Sequence, residues 1–370
     1  GFYFNFLIYL LLFFIINTII QVQKFLIIKT YYVIVLFSLI FGFYSLEIYL
    51  VNYNNKLNTL EDLQFRKQQA LKIGKEFDTR TKFEVFSTLE KNGVKVTPTI
   101  PPNNIFTKKK IQKLNHQIFA FSNISNVYNV FCNESGKRIV YLSDRYGFRN
   151  DDKIWDQDVD IVISGDSIVQ GACVENKDVT ADVLANLSNK KVLNLGIQGY
   201  GPLMQLATLK EYAIYKKPKI VLWYYFEAND LPNMIDELKN EKLIKYKNEN
   251  FNQGLIFKQD KINIQLQEVI KIFRKGINNK NIINQNDNKL NIINILKLRN
   301  SRNLLNSYLP NSRSLLRYRY YPNNLINDYF DILLQAEKLV KSWGGELYFV
   351  YHPDLARYLG FNSSKFRERQ

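Results

Sequence analysis

The chain has 370 residues, 46% of them hydrophobic, which is enough to build the core of an α/β domain and excludes a disordered chain. Its formal net charge of +16 comes from lysines scattered among asparagines and isoleucines, without a basic stripe or a nucleic-acid-binding motif. We therefore predict no nucleic-acid partner. With two cysteines and two histidines that lack ligand spacing, we also predict no metal site and no cofactor.

The N-terminal region contains two apolar runs, residues 2–20 and 31–51, each about the 20 residues needed to cross a bilayer. The loop between them contains Lys24 and Lys29 and no acid, so the positive-inside rule predicts that it faces the cytoplasm. The rest of the chain then lies on the extracytoplasmic (periplasmic) side. We predict a transmembrane anchor over residues 1–52 with two helices; a single anchor after a partly inserted leader is the alternative. No small-residue site follows the second run, so a cleaved signal peptide fits poorly.

Residues 53–125 are predicted to form a stalk or linker region without assigned chemistry. It includes a charged helical stretch over 60–77 and the proline-rich segment 97–104, which we expect to lack regular structure. His116 lies in this region and is predicted to be a surface residue.

From residue 126 to residue 370 the pattern is that of an α/β domain. Short apolar runs alternate with amphipathic stretches, which indicates a parallel sheet covered by helices on both faces, a three-layer architecture. The predicted strands are 160–164, 191–195, 220–226 and 346–351, and the predicted helices are 168–187, 204–215 and 325–342. Residues 231–324 form a helical insertion, with a helix over 262–275, that is either a lid over the site or a peripheral addition.

Polar landmarks follow three of the predicted strands, where sites form in parallel sheets. The tripeptide Gly165-Asp166-Ser167 places a serine at a strand-to-helix turn, where helix-terminal amides favour a developing oxyanion. Its alternative interpretation is a serine that caps the helix. Gly196 opens a glycine-rich loop, whose alternative interpretation is a dinucleotide fingerprint, although its G-x-x-G-x-G spacing differs from that motif. Asn229, followed by Asp230, can point an amide into the same cleft.

These landmarks are about thirty residues apart, the length of a βαβ unit, so they should meet at one edge of one sheet. They resemble the sequence blocks of SGNH (GDSL-type) hydrolases. Gly165-Asp166-Ser167 is similar to the first block, Gly196 to the second-block glycine and Asn229 to the third-block asparagine. The segment 144–149, with the sequence DRYGFR, resembles a lead-in found in bacterial members. The resemblance covers roughly residues 143–351 and implies the flavodoxin-like SGNH fold.

The resemblance also implies residue roles. Ser167 would attack an acyl ester, and the N–H groups of Ser167 and Gly196 with the side chain of Asn229 would hold the oxyanion. Gly165, Asp166 and Asp230 would support them. One departure is Glu227, which stands where the third block usually has glycine.

The second departure is that the Asp-x-x-His of the family is absent, although a serine needs a base, usually histidine. His352 follows the last predicted strand at the correct edge, but the family base comes after a further strand. We interpret His352 as a rim or structural residue and expect the base beyond Gln370. The apolar start at Gly1 and the uncapped helical pattern of residues 363–370 also suggest that both ends are cut.

Cys132 and Cys173 flank the strand that precedes Ser167. Outside the cytoplasm they could form a disulfide, and two separate buried thiols are the alternative.

The sequence thus predicts a membrane-anchored serine ester hydrolase or O-acyltransferase that works through an acyl-serine intermediate, with an acylated carbohydrate or lipid as substrate. The competing hypothesis is a non-catalytic, membrane-tethered binding or assembly protein that keeps the SGNH fold. Neither hypothesis specifies a protein partner.

Overall fold

A computed structural model describes residues 26–57, 60–102, 118–283, 295–308, 321–354 and 358. The chain divides into two units, one made of Gly1–Asp62 with Asp287–Arg317 and the other of Leu63–Asn286 with Tyr318–Gln370. The predicted apolar helix over 2–20, Lys24 and His116 lie outside the described residues.

The first unit contains a long apolar helix, α1 (Leu26–Leu57). Its stretch Val33–Val51 has a mean hydropathy of 2.1 and is only 11% buried, so by length and composition this one helix could cross a membrane. The second predicted apolar segment is therefore a helix.

A buried carboxylate joins α1 to a segment of the predicted insertion, which forms the helix that we number α9 (Arg299–Tyr308). The Glu47 carboxylate accepts a hydrogen bond from the backbone N–H of Asn300 at 2.8 Å. It also accepts hydrogen bonds from the backbone N–H and the hydroxyl of Ser301, each at 2.7 Å. The carboxylate thereby satisfies donors that a helix N-terminus leaves open. Part of the insertion thus folds against the apolar helix.

The second unit begins within α2 (Leu60–Lys72) and continues with α3 (Lys82–Lys91) and three short strands, β1 (Val96–Pro98), β2 (Tyr128–Val130) and β3 (Val140–Leu142). β2 lies between β1, which is parallel to it, and β3, which is antiparallel. The prediction that segment 97–104 lacks regular structure is wrong at its start. Pro98 is the last residue of an edge strand, a position where its missing N–H is tolerated. The helix predicted over 60–77 ends early, before Gly74 at φ +69°.

The main sheet has four parallel strands, β4 (Ile161–Ser164), β5 (Val192–Asn194), β6 (Ile220–Phe226) and β7 (Glu346–His352). All four predicted strands are confirmed to within one residue at either end. Their spatial order is β5-β4-β6-β7. Counted within the sheet this is 2-1-3-4, the beginning of the flavodoxin-like order of doubly wound sheets.

Alternate side chains of the strands enter two separate apolar layers, because successive residues of a strand point to opposite faces. On one face, Val162, Leu193 and Trp223 belong to the large core that includes helices α6 (Pro202–Glu211) and α10 (Asn323–Ser342). On the other face, Ile163 and Val192 pack with residues of α5 (Thr180–Ser188). The predicted α/β arrangement of a parallel sheet with packed helices is confirmed.

The segment after β4 differs from the single helix predicted over 168–187. It is broken into α4 (Ser167–Gln170), a turn and α5, because Gly171 adopts a left-handed conformation with φ +78° and ends the first helix after one turn. The remaining elements are α7 (Asp230–Glu237), which starts directly after β6, and α8 (Gln259–Ile283), which is longer than predicted.

Candidate functional site

The candidate site lies at the carboxyl ends of β4 and β6. The chain leaves β4 for β5 on one side of it and then returns to form β6 on the other side. β4 and β6 therefore flank the point where the winding direction reverses, and a crevice for ligands opens at this point in doubly wound sheets. The loops that leave these two strands carry Ser167 and Asn229.

A single carboxylate brings these two loops together. Asp166 Oδ2 accepts a hydrogen bond from Asn229 Nδ2 at 2.9 Å and lies 3.5 Å from Ser167 Oγ. Its other oxygen accepts the N–H of Ile168 at 2.9 Å and so caps α4. Asp166 itself is buried. Ser167 and Asn229 thus share Asp166 as a partner, and the predicted alternative of a capping serine is wrong, since Asp166 is the N-cap of α4.

Ser167 is the first residue of α4 and is half-buried. Its contact with Asp166, at 3.5 Å, is at the outer limit of a hydrogen bond, so the hydroxyl is weakly held. Its backbone N–H is one of the helix-terminal donors that have no acceptor inside a helix. A hydroxyl and a free-standing N–H on the same residue are what an attacking serine and its oxyanion require.

The Asn229 side chain is set by its position just before α7. Although Asn229 is the N-cap residue of this helix, its side chain makes no capping bond, and its Oδ1 has no hydrogen-bond partner among the described residues. The amide nitrogen carries two hydrogens, of which Asp166 takes one. The second hydrogen is the one that could meet a substrate oxygen.

The backbone N–H of Gly196, predicted to donate to the oxyanion, is already bonded within the protein. Its N–H donates to the side-chain Oδ1 of Asn194, the last residue of β5, at 2.8 Å. Glycine is required here by packing instead, because a Cβ would lie 2.5 Å from Val169 Cγ1 and 2.7 Å from the Gln170 nitrogen. Gly196 thus lets the loop after β5 press against α4, and its N–H is occupied in this arrangement.

The predicted supporting residues Gly165 and Asp230 both serve packing around the site. A Cβ on Gly165 would lie 2.4 Å from Val169 Cγ2, so glycine allows the close approach of α4 to its own strand. Asp230 is buried, and its Oδ2 accepts the N–H of Phe226 at 3.1 Å. Burial, followed by the charge of Asp166, raises the pKa of Asp230 well above its usual range.

Glu227 occupies the position where the resemblance has glycine, and it holds the end of β7. Its N–H donates to the His352 carbonyl at 3.0 Å, and its Oε2 accepts the Asp354 N–H at 3.0 Å. His352 is exposed and contacts Phe226 edge-on, with ring centroids 5.3 Å apart.

His352 is the one histidine among the described residues, and within the described part of the chain no hydrogen bond joins its ring to Ser167. β7 is separated from β4 by β6, two strand spacings or roughly 10 Å. This agrees with its interpretation as a rim residue.

A buried loop ahead of β4 supports the site. Its sequence DRYGFR was identified as a motif, but the sequence predicted no role for it. We call residues 144–150 the lead-in loop. Asp144 accepts four hydrogen bonds, from the backbone of Tyr146 and Phe148, each at 2.9 Å, and from the side chains of Asn150 and Trp155, each at 2.8 Å. Complete burial raises the pKa of Asp144 to about 6 despite these four donors.

The end of the lead-in loop forms hydrogen bonds with the end of β5 and with the turn that follows α4. Asn150 exchanges two hydrogen bonds with the backbone of Asn194, at 2.8 and 2.9 Å, at the end of β5. Arg149 donates to the carbonyl of Gly171 at 2.6 Å and to the side chain of Asn176 at 2.8 Å. The signal in the sequence was the DRYGFR segment itself, although it does not show which groups Arg149 reaches.

A second support joins the glycine-rich loop to α7. Glu237 is buried, and its carboxylate accepts the N–H groups of Gly201 at 2.6 Å and Leu203 at 2.9 Å, at the start of α6. Burial raises the pKa of Glu237 to about 8. The helix that begins beside Asn229 therefore also fixes the loop that follows β5.

The two cysteines form the disulfide that the sequence left open. Cys132 and Cys173 are bonded, with Cα atoms 5.1 Å apart, so the chain after β2 is tied to the turn after α4. The alternative of two separate thiols is wrong.

Comparisons with protein-family models, with curated proteins and with solved structures found no match to this chain. Among the described residues, no group of three or more histidine, cysteine, aspartate or glutamate side chains could hold a metal ion.

Proposed function

We propose that the chain is a membrane-anchored serine acyl-ester enzyme of the SGNH type, a hydrolase or an O-acyltransferase. The observation that carries this proposal is the shared carboxylate of Asp166, which brings Ser167 Oγ and Asn229 Nδ2 together at the reversal point of a parallel sheet. A nucleophile beside an amide donor, at the edge where doubly wound sheets bind ligands, suits attack on a carbonyl.

In the proposed reaction Ser167 Oγ attacks the ester carbonyl and its proton passes to a base. The carbonyl oxygen becomes an oxyanion, stabilised by the Ser167 N–H and by the second hydrogen of Asn229 Nδ2. Collapse of this intermediate breaks the ester bond; the base returns its proton to the leaving oxygen, the alcohol departs, and the acyl group stays on Ser167. Water then gives hydrolysis, and a second alcohol gives transfer. The base is the group that the described residues do not supply, and histidine is the side chain that we expect there.

The proposed compartment is the extracytoplasmic side of a membrane. The stretch Val33–Val51 of α1 is a candidate anchor, and the two lysines ahead of it, Lys24 and Lys29, predict the orientation by the positive-inside rule. The Cys132–Cys173 disulfide supports this assignment, because disulfides persist in oxidising compartments. An enzyme held there meets acylated carbohydrates and lipids, the substrate class that we propose.

The test is covalent labelling with a fluorophosphonate probe, which reacts with activated serines. The full-length protein in native membranes should be labelled, and Ser167→Ala should lose the label. Ser188→Ala is the matched control, since Ser188 is also half-buried at the surface of the same unit and its hydroxyl donates to the Leu184 carbonyl at 2.6 Å. Labelling that survives Ser167→Ala would contradict the proposal.

A second candidate function, a non-catalytic binding protein with the same fold, is favoured by one observation. The Gly196 N–H is engaged by Asn194 Oδ1 and is therefore not open to an oxyanion. If no labelling occurs while a short-chain acyl ester still binds to the folded protein, this second function would replace the first.

A further inference from the structure

A basic cleft lies on the second unit, between the turn that joins β2 to β3 and the segment that follows the disulfide. Its volume is about 540 Å³. Four cationic side chains and one acid contribute to its lining. The residues that matter for its chemistry are Lys137, Arg138, Arg149, Glu175, Asn176 and Lys177.

The cleft is held open by fixed contacts on both sides. The Cys132–Cys173 disulfide joins the two segments, and the Ile139 N–H donates to the Cys132 carbonyl at 2.9 Å. Arg149 is buried and donates to the carbonyl of Val174 at 2.9 Å and to the side chain of Asn176 at 2.8 Å. A ligand would therefore meet a preorganised surface, which lowers the entropy lost on binding.

The lining of the cleft carries more positive than negative charge, with four cations and one acid. Among the described residues, Lys137 is the one lining cation in an ion pair, with Glu175 at 3.1 Å, and both side chains are more than half exposed. Arg138 donates to the carbonyls of Phe131 at 3.2 Å and Arg80 at 2.6 Å, which carry no charge. Its buried Nε has no hydrogen-bond partner in the part of the chain that the structure describes.

We propose that this cleft binds an oxyanion group, the carboxylate of an acidic sugar or a phosphate, as part of a ligand the size of a disaccharide. Guanidinium and ammonium groups are the side chains that bind carboxylate and phosphate most strongly, through charge-assisted hydrogen bonds. Arg149 supplies buried positive charge and Arg138 half-buried positive charge, while Lys137 and Lys177 supply exposed ammonium groups at the rim. The proposal does not depend on the chemistry of Ser167.

The experiment measures binding to the full-length protein in non-ionic detergent by isothermal titration calorimetry. Three probes are compared: inorganic phosphate, digalacturonate, and a neutral disaccharide of the same size. We expect saturable binding of at least one charged probe, weakened by added salt, and no binding of the neutral probe. Phosphate alone or digalacturonate alone would identify the source of the oxyanion, and both outcomes support the proposal.

The double variant Lys137→Gln with Lys177→Gln should lower the affinity for the charged probe about fivefold, which corresponds to about 1 kcal/mol. Both lysines are exposed, so the fold should persist. Lys190→Gln with Lys191→Gln is the matched control, because these two exposed lysines carry the same charge and do not line the cleft. Arg138→Gln is a second variant with the same expected direction.

Equal weakening by the control pair would overturn the proposal, since general attraction to a basic protein would then explain the binding. Absence of saturable binding of both charged probes would overturn it as well. A single-stranded oligonucleotide that binds more tightly than either probe, with loss in the Lys137→Gln and Lys177→Gln variant, would assign the cleft to nucleic acid instead.

Discussion

The strand-end site and the lead-in loop lie on either side of the short helix α4 and are built in opposite ways. At the site, Ser167 and Asn229 are half-buried, and Asp166 is their shared partner. In the lead-in loop, Asp144 and Phe148 are fully buried, and four donors converge on one carboxylate.

The difference teaches which residues stabilise the fold and which remain available for chemistry. An atom that must reach a substrate cannot already be saturated by protein hydrogen bonds, so the site residues contribute little to stability. The lead-in loop is saturated, and it transmits that stability to the site through Asn150 and Arg149. Substitutions in the two regions should therefore separate stability from activity.

The largest effect is expected for Gly147→Ala in the lead-in loop. Gly147 has φ +82°, and a Cβ there would lie 1.9 Å from the Asn123 carbonyl oxygen. Because backbone strain and overlap with a fixed backbone atom add, we expect a loss of about 4 kcal/mol or more in the free energy of unfolding. Urea unfolding of the full-length protein in detergent, followed by tryptophan fluorescence, measures this loss.

Gly93→Ala is the control for the cost of placing alanine in a left-handed backbone conformation, without steric overlap. Gly93 has a similar φ of +78°, but a Cβ there meets no atom within 4 Å. Its loss should be about 1 kcal/mol. Equal losses in the two variants would contradict the tight packing of the lead-in loop.

A smaller effect, with a defined pH dependence, is expected for Asp144→Asn. Burial raises the pKa of Asp144 from its ordinary value of 3.8 to about 6, so the folded state holds this proton more tightly than the unfolded chain does. The stabilisation is complete below pH 3.8 and is lost as the pH rises through about 6. Asparagine does not titrate.

The free energy of unfolding of the wild type, minus that of Asp144→Asn, should therefore fall with rising pH, by on the order of 3 kcal/mol between pH 3.5 and 7. Urea unfolding of both proteins across that range measures the difference. A difference that grows with pH would mean that the four donors lower the pKa of Asp144, opposite to the effect of burial.

The contrast between the two regions also explains what the sequence could predict. The four parallel strands are continuous apolar runs, and the loops that follow them meet at one edge, so the nearness of the loops that carry Ser167 and Asn229 follows from position along the chain. The break in the helix after Ser167 was missed because it depends on the left-handed turn at Gly171. The three-residue strands β1 to β3 are too short to show the alternation of apolar and polar residues by which a strand is predicted.

The lead-in loop could not be predicted because its contacts join residues far apart in the chain. Asn150 bonds a residue 44 positions away, and Arg149 bonds one 27 positions away. No local pattern shows which backbone group such a side chain will reach. The engagement of Gly196 by Asn194 was missed for a different reason: Asn194 ends β5 and Gly196 lies in the loop after it, and the direction in which a loop N–H points is not encoded in spacing.

The smallest effect on stability is expected for Ser167→Ala, although this substitution should abolish labelling and turnover. Removal of a half-buried hydroxyl with one contact at 3.5 Å should change the free energy of unfolding by less than about 0.5 kcal/mol. The same urea titration measures it, with Ser188→Ala for comparison. A loss above about 2 kcal/mol would show that the Ser167 hydroxyl is a structural group, since an atom held that firmly would not be free to attack a substrate.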